Sequence, residues 1–417
     1  PTPTPEPSPT PTPTPEPTPE PTLQVGGRAV DGYVKDAKVF YDADGDGVWD
    51  ADEAWTTTDA QGRFELTGFL KTALGRIVIE AGGIDIETGN AVGALFLNAD
   101  NLGQGGELIV SPLTTLLALS PGLTEAQLKA ALGIDPSIDL LTFDPVSAMD
   151  AGGAGAALGE QLFAAQQKAY ALLQAATAVA GQGGVGAATA LANAAKALGQ
   201  AIAGGATDLN QITTQVFSNL VSDPAKAEVL AKAVQHSMQA IDKAYVANPG
   251  EMSLSEARHI IAAGDSNAPG YAEAVSRLSA AKAAASVSQT AVKAIAEQVA
   301  QGQSVDVDAV LKQLDSKIQE QEQEYNEKVV AGVNHEPTGS VVINGSAVQG
   351  QTLTVSHTLA DQDGMGPLSF QWLVDGKPID GATGSQLLLT QSLVGKAITV
   401  AVSYKDGIGA AEVVASE

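Results

Sequence analysis

Residues 42–53, DADGDGVWDADE, place six carboxylates among twelve positions, with glycines at 45 and 47. Calcium takes about six to eight oxygen ligands, and the loop that best supplies them uses positions 1, 3, 5, 7, 9 and 12, with glycine at 6 for the sharp turn. Asp42, Asp44, Asp46, the Val48 carbonyl, Asp50 and Glu53 fall on those positions, and Gly47 falls on the sixth. A many-oxygen cage closed by a bidentate glutamate suits Ca2+ better than Mg2+, so calcium is the expected cofactor. A solvated acidic turn is the alternative. Sensor loops of this kind join two helices, whereas DAKVFY before Asp42 reads as a strand. The loop is therefore expected to staple a β-domain, as a lone extracellular site with a Kd on the order of 10⁻⁴ to 10⁻³ M.

Other candidate chemistry is thin. GQGGVG at 181–186 fits a dinucleotide fingerprint, but the preceding AYALLQAATAVA reads as helix and no βαβ alternation surrounds it. A glycine-rich loop between helices is the expectation. His236, His259, His335 and His357 lack the spacing of a zinc motif. Ser111 in VSPLTT lacks a G-x-S-x-G context. A carboxylate pair that meets only in space would leave no local signature. The chain is expected to be non-enzymatic.

The elements that position the loop follow from composition and period. With 417 residues the chain exceeds what one hydrophobic core holds. A net charge of −26 opposes nucleic acid and anionic lipid and favours cations or basic and neutral partners. There is no cysteine, which removes disulfides and thiolate chemistry, and no apolar run reaches the roughly 18 residues of a membrane span. The chain opens inside a proline repeat, so a processed or trimmed amino terminus is expected, with a lipid or cell-wall anchor upstream. It ends as though further modules follow.

Five segments are expected. Residues 1–23 are a Pro/Thr-rich stalk or linker of polyproline II character. Residues 24–110 alternate apolar and polar positions as a β-sandwich. Residues 111–155 are a connector with short helices, including LTEAQLKAALGI, where Thr124 and Gln127 form a capping box. Residues 156–332 are an alanine-rich helical bundle of six or seven helices. Its last amphipathic face carries Val310, Leu314, Ile318, Tyr325 and Val329. Residues 333–417 return to period two, with Trp372 and Tyr404 as core anchors.

Two stretches resemble known families. GYVKDAKVFYDADGDGVWDADEAWTTTDAQGRFEL is similar to the carboxypeptidase-regulatory-like and calcium-binding B-type repeat domains of bacterial surface proteins, including a T-D-x-x-G-x-F turn at Thr58, Asp59, Gly62 and Phe64. The likeness covers about 80 residues and implies a prealbumin-like β-sandwich. Trp49 departs from the usual aliphatic, to pack on the sandwich or to mark a contact surface. PTGSVVING through GIGAAE resembles the immunoglobulin-like repeats of RTX-type adhesins, with DxDG at 361–364, QW at 371–372 and VGKAITV. Acidic loops at domain ends bind calcium in such arrays, which makes Asp361, Asp363 and Asp406 candidates for a second metal; solvated loops are the alternative.

The expected fold class is thus multidomain α+β, with an EF-hand-like loop in the first β-sandwich and an immunoglobulin-like β-sandwich at the end. The expected role is a calcium-stabilised bacterial cell-surface or secreted protein in adhesion or extracellular matrix structure. Its partner would be a surface ligand or glycan. Two alternatives stay open: a self-assembling filament or surface layer, with copies of the chain as partner, and a binding or catalytic role in the helical region.

Overall fold

The computed structural model describes residues 22–416 except 73, 103–105, 267, 304, 332–336, 361–364, 366 and 406–410. The stalk residues 1–21 and the second-metal candidates Asp361, Asp363 and Asp406 lie outside the described residues. Among the described residues up to 110, the period-two stretches form nine strands: β1 (Leu23–Ala29), β2 (Val34–Lys35), β3 (Lys38–Asp42), β4 (Trp55–Thr57), β5 (Arg63–Phe69), β6 (Arg76–Ile79), β7 (Ile84–Asp85), β8 (Leu95–Asn98) and β9 (Leu108–Val110). One sheet has the order β5-β1-β9, with β1 antiparallel to β5 and parallel to β9. A second, wholly antiparallel sheet runs β4-β3-β6-β8, and β2 pairs with β7. The sheets share one core, in which Val25, Phe64, Leu66 and Leu108 of the first meet Val39, Tyr41, Ile77, Ile79, Leu95 and Leu97 of the second.

Phe40, Val78 and Phe96 occupy the alternate positions of that second sheet, and they are equally buried. A strand buried on both faces reads as a continuous apolar run, as in IVI and LFL. Its outer cover is helical. Ten α-helices are described: α1 (Pro112–Leu119), α2 (Glu125–Leu132), α3 (Pro145–Ala151), α4 (Ala154–Ala180), α5 (Ala187–Ala203), α6 (Leu209–Leu220), α7 (Pro224–Tyr245), α8 (Leu254–Ala262), α9 (Tyr271–Ala300) and α10 (Val307–Ala331). Helix α1 packs on β8, and the Thr115 hydroxyl accepts from the Phe96 amide at 2.9 Å. Ser111 caps α1, accepting from the Thr114 amide at 3.3 Å. Thr124 and Gln127 form the expected capping box on α2. No described helix is long and apolar enough to cross a membrane.

The chain divides into two compact units, each assembled from separate stretches: residues 1–148, 161–239 and 288–311 in one, and 149–160, 240–287 and 312–417 in the other. In the first unit Tyr170 of α4 enters the β core itself. Arg28 on β1 is 5% exposed and reaches Asp144 at 2.8 Å, Glu107 at 3.0 Å and the Tyr33 hydroxyl at 2.7 Å, so its charge is compensated. In the second unit Ser255 at the start of α8 donates its amide to Glu160 at 2.7 Å and its hydroxyl to the Met149 carbonyl at 2.5 Å.

Among the described residues of the second unit seven strands form: β10 (Val341–Asn344), β11 (Thr352–His357), β12 (Ser369–Val374), β13 (Lys377–Pro378), β14 (Gln386–Leu388), β15 (Ile398–Lys405) and β16 (Ala411–Ala415). They make two antiparallel sheets, β10-β11-β14 and β13-β12-β15-β16. Trp372, fully buried, sits with Val341, Leu353, Leu387, Val400 and Val402 in their common core, and its indole N–H donates to the Gly384 carbonyl at 2.9 Å. Tyr404 is also buried. Trp372→Ala removes the largest side chain of this core and should cost about 3–5 kcal/mol, read by urea denaturation of the full chain with circular dichroism. Trp372→Phe should recover part of that loss.

Candidate metal centre

The loop at 42–53 is the hairpin connection between β3 and β4. Phe40 pairs with Trp55, and the Tyr41 amide donates to the Ala54 carbonyl at 3.0 Å, so the ladder closes the base of the loop. Asp42, at the end of β3, is fully buried and turns inward. Its Oδ1 accepts from the amides of Gly45 at 2.8 Å and Asp46 at 3.1 Å, and its Oδ2 from Gly47 at 3.0 Å. Three backbone donors on one carboxylate wind the chain around it. That winding needs left-handed backbone at Gly47 (φ +79°), and Gly47 lies against Phe96 of β8 and Ala188 of α5.

The next two acids repeat a smaller turn. Asp44 Oδ1 accepts from the Asp46 amide at 3.1 Å, and Asp46 Oδ1 from the Val48 amide at 2.7 Å. As a result Asp42, Asp44 and Asp46 each offer a carboxylate oxygen within 4.8 Å of the others, the one such cluster among the described residues. Glu53 closes the circle differently. Its oxygens accept from the Ala43 amide at 2.6 Å and the Asp50 amide at 3.1 Å, which pulls the twelfth loop position back over the second and ninth. Asp50 and Val48 are exposed on the loop, and neither Asp50 nor Glu53 belongs to the three-carboxylate cluster. A carboxylate oxygen has two lone pairs, so one amide hydrogen bond leaves capacity for a cation.

Burial raises the Asp42 carboxyl above its ordinary value, against the lowering effect of the Gly45 and Gly47 amides. Burial likewise raises Glu53, with Asp42 and Asp50 as neighbouring negative charges. Trp49 of the loop clusters with Lys38 and Trp55 of the flanking strands. Lys38 Nζ lies 3.2 Å from the Trp49 ring centroid and 5.5 Å from that of Trp55. The two indoles meet edge to face at 6.5 Å. Trp49 therefore packs on its own domain, while Trp55 is 56% exposed. Sequence spacing names Trp49 but gives no sign of Lys38, which reaches it only because β3 and β4 pair.

The T-D-x-x-G-x-F residues build the next turn. The Thr58 hydroxyl accepts from the Ala37 amide at 2.9 Å, Asp59 Oδ1 accepts from Gln61 and Arg63 at 2.8 Å each, and Phe64 is buried. GQGGVG links α4 to α5, with a helix where a dinucleotide loop needs a strand. His259 Nδ1 bonds its own helix at the Ser255 carbonyl, 2.7 Å away, and His335 lies outside the described residues. Two residues that spacing does not reveal are Asp31 and Asp85, both fully buried. GGIDIETG would place Ile84 and Ile86 inside, yet Asp85 points inward and Ile86 is 42% exposed.

No protein-family model, curated protein or solved structure matches the chain. Gly47→Ala should cost about 1–2 kcal/mol through the left-handed backbone, since the added methyl would make only ordinary contacts with Phe96 and Ala188. Urea denaturation of the calcium-free protein measures it.

Proposed function

We propose that residues 42–53 bind one calcium ion and that this ion staples the first β-region. The protein would be a modular, non-enzymatic chain of the bacterial cell surface or exterior, acting in adhesion or matrix structure. The observation that carries the calcium reading is the wrapped loop: Asp42, Asp44 and Asp46 converge while Glu53 folds back over Ala43 and Asp50. Glu53 would complete the shell by turning one oxygen toward the cluster, with Val48 and Asp50 supplying the seventh and ninth loop positions. Placement between two strands, with no helix to swing open, favours a structural ion over a sensor.

The modular reading rests on the strand-rich ends. The two sheets sharing the core of residues 23–110 are consistent with a prealbumin-like sandwich. The pair of sheets around Trp372 is consistent with an immunoglobulin-like one. A charge of −26 suits an environment rich in divalent cations and a neutral or basic partner, such as a glycan or protein surface.

At 10 mM calcium and a Kd near 10⁻⁴ M, binding should stabilise the first unit by about 2.7 kcal/mol. Differential scanning calorimetry with calcium and with EGTA should show one transition moving up by several degrees. Asp42→Ala with Glu53→Ala should abolish that movement. An unchanged transition in the unsubstituted protein would rule the staple out. Protons compete for the same oxygens, and both Asp42 and Glu53 are held above their ordinary values. Calcium affinity by titration calorimetry should therefore fall between pH 7 and pH 5, earlier than for ordinary carboxylates. The adhesive role predicts saturable binding of the full chain to glycan arrays or bacterial and host cell surfaces.

A further inference from the structure

Asp31 and Asp85 stand apart from the acidic loop and are buried within the first unit. Asp31 lies in the turn that follows β1, where Val30 bridges Tyr33, and Asp85 ends β7. The two segments meet at Gly32, where a Cβ would fall 2.0 Å from Asp85 Oδ1. Asp85 Oδ1 accepts from the Glu87 amide at 2.9 Å and Oδ2 from the Thr88 hydroxyl at 2.6 Å. Asp31 is gripped from two helices. Its Oδ1 accepts from Gln167 Nε2 on α4 at 3.1 Å, and its Oδ2 from Gln289 Nε2 on α9 at 3.3 Å.

The same amides tie these helices to the strands and to each other. Gln289 Nε2 also donates to Gln167 Oε1 at 3.1 Å, and Gln289 Oε1 accepts from Asn90 at 3.4 Å. Gln166 donates to the Val30 carbonyl at 2.7 Å, and the Tyr170 hydroxyl accepts from the Gly93 amide at 2.6 Å. A cavity of about 540 Å³ adjoins this network, bordered by Gly82, Val92, Tyr170, Gln174, Gln289 and Lys293.

The titratable and charged groups on the surrounding elements include Tyr33 and Asp36 beside β2, Lys35 on it, Glu87 after β7, Lys168 and Tyr170 on α4, and Lys293 and Glu297 on α9. Lys35 pairs with Asp36 at 3.8 Å, and among the described residues no cation pairs with Asp31 or Asp85. Two buried carboxylates with amide and hydroxyl partners but no counter-ion resist double ionisation. We propose that Asp31 and Asp85 form a proton-loaded clasp, which holds the β7 turn against α4 and α9 while the pair is protonated and slackens as its carboxylates ionise.

Burial pushes Asp85 up to about 6, and burial together with Asp85 pushes Asp31 well above the usual carboxylate range. A folded-state value above the unfolded one means that the proton stabilises the fold. The contribution of Asp85 is complete below about pH 4, the unfolded value, and is lost as pH rises through about 6.

The test uses the full chain in saturating calcium, and again in EGTA, so that titration of the loop carboxylates is separated from that of the clasp. From pH 5 to 7.5, amide exchange corrected for its intrinsic pH dependence should lose protection in 161–175 and 288–297, and the melting temperature should fall. Asp85→Asn keeps an oxygen for the Glu87 amide and donates to the Thr88 hydroxyl. It should remove most of both changes and melt about 3 °C or more above the unsubstituted protein at pH 7.5. An equal pH response in the two proteins would overturn the clasp. If the variant does not fold, ¹³C carboxyl titration of aspartate-labelled protein decides the matter. An aspartate titrating near pH 6 supports the clasp, and titration of every aspartate below pH 5 overturns it.

Discussion

A sheet that is apolar on both faces cannot border water, and β4-β3-β6-β8 is such a sheet. Val39, Tyr41, Ile77 and Ile79 face the core shared with the first sheet, while Phe40, Val78 and Phe96 face the other way and are equally buried. Each of these side chains gains about 1.5–3 kcal/mol from burial, so an uncovered outer face would forfeit much of what holds so small a β-region together. The first unit meets this demand with helix. α1 lies on β8, and Ala188 of α5 sits beside Phe96 at Gly47. The strands of residues 23–110 thereby share one compact unit with residues 161–239 and 288–311.

The acidic loop inherits its geometry from this packing. Its base is the β3–β4 ladder, and Gly47 at its tip rests on Phe96 and Ala188. Asp42 can be buried because three loop amides replace the water it loses. Asp44 and Asp46 then stay near it despite like charge, since each is held by a local turn. The loop is thus shaped by backbone hydrogen bonds that leave oxygen lone pairs free for a cation.

Covering a sheet with helices also buries polar groups, and the first unit satisfies them with glutamines. Gln166, Gln167 and Gln289 project from the buried faces of α4 and α9 and engage Val30, Asp31 and Asn90. Alanine-rich helices permit close approach but bury little area each, so hydrogen bonds of this kind contribute much to how closely α4 and α9 register with the strands. Among the described residues no cation joins these bonds around Asp31 and Asp85, which makes the contact sensitive to protons.

The chain's local chemistry was legible without a fold. The twelve-residue spacing named Asp42 through Glu53, the T-D-x-x-G-x-F residues named a turn, Thr124 and Gln127 named a helix start, and period-two runs named Trp372 as a core residue. The capping box and the turn are properties of residues close together in the chain, where local backbone geometry dictates the outcome, and the same closeness brings Asp42, Asp44 and Asp46 of that spacing together. The mixed α+β character followed from the same periodicities. Tertiary structure alone decided the rest. It set Lys38 on Trp49, turned Asp85 inward against the alternation of GGIDIETG, and joined Asp31 to glutamines 136 and 258 residues away. Spacing cannot reveal those contacts, because they arise when separate apolar faces are driven together and buried polar groups must take whatever partners arrive with them.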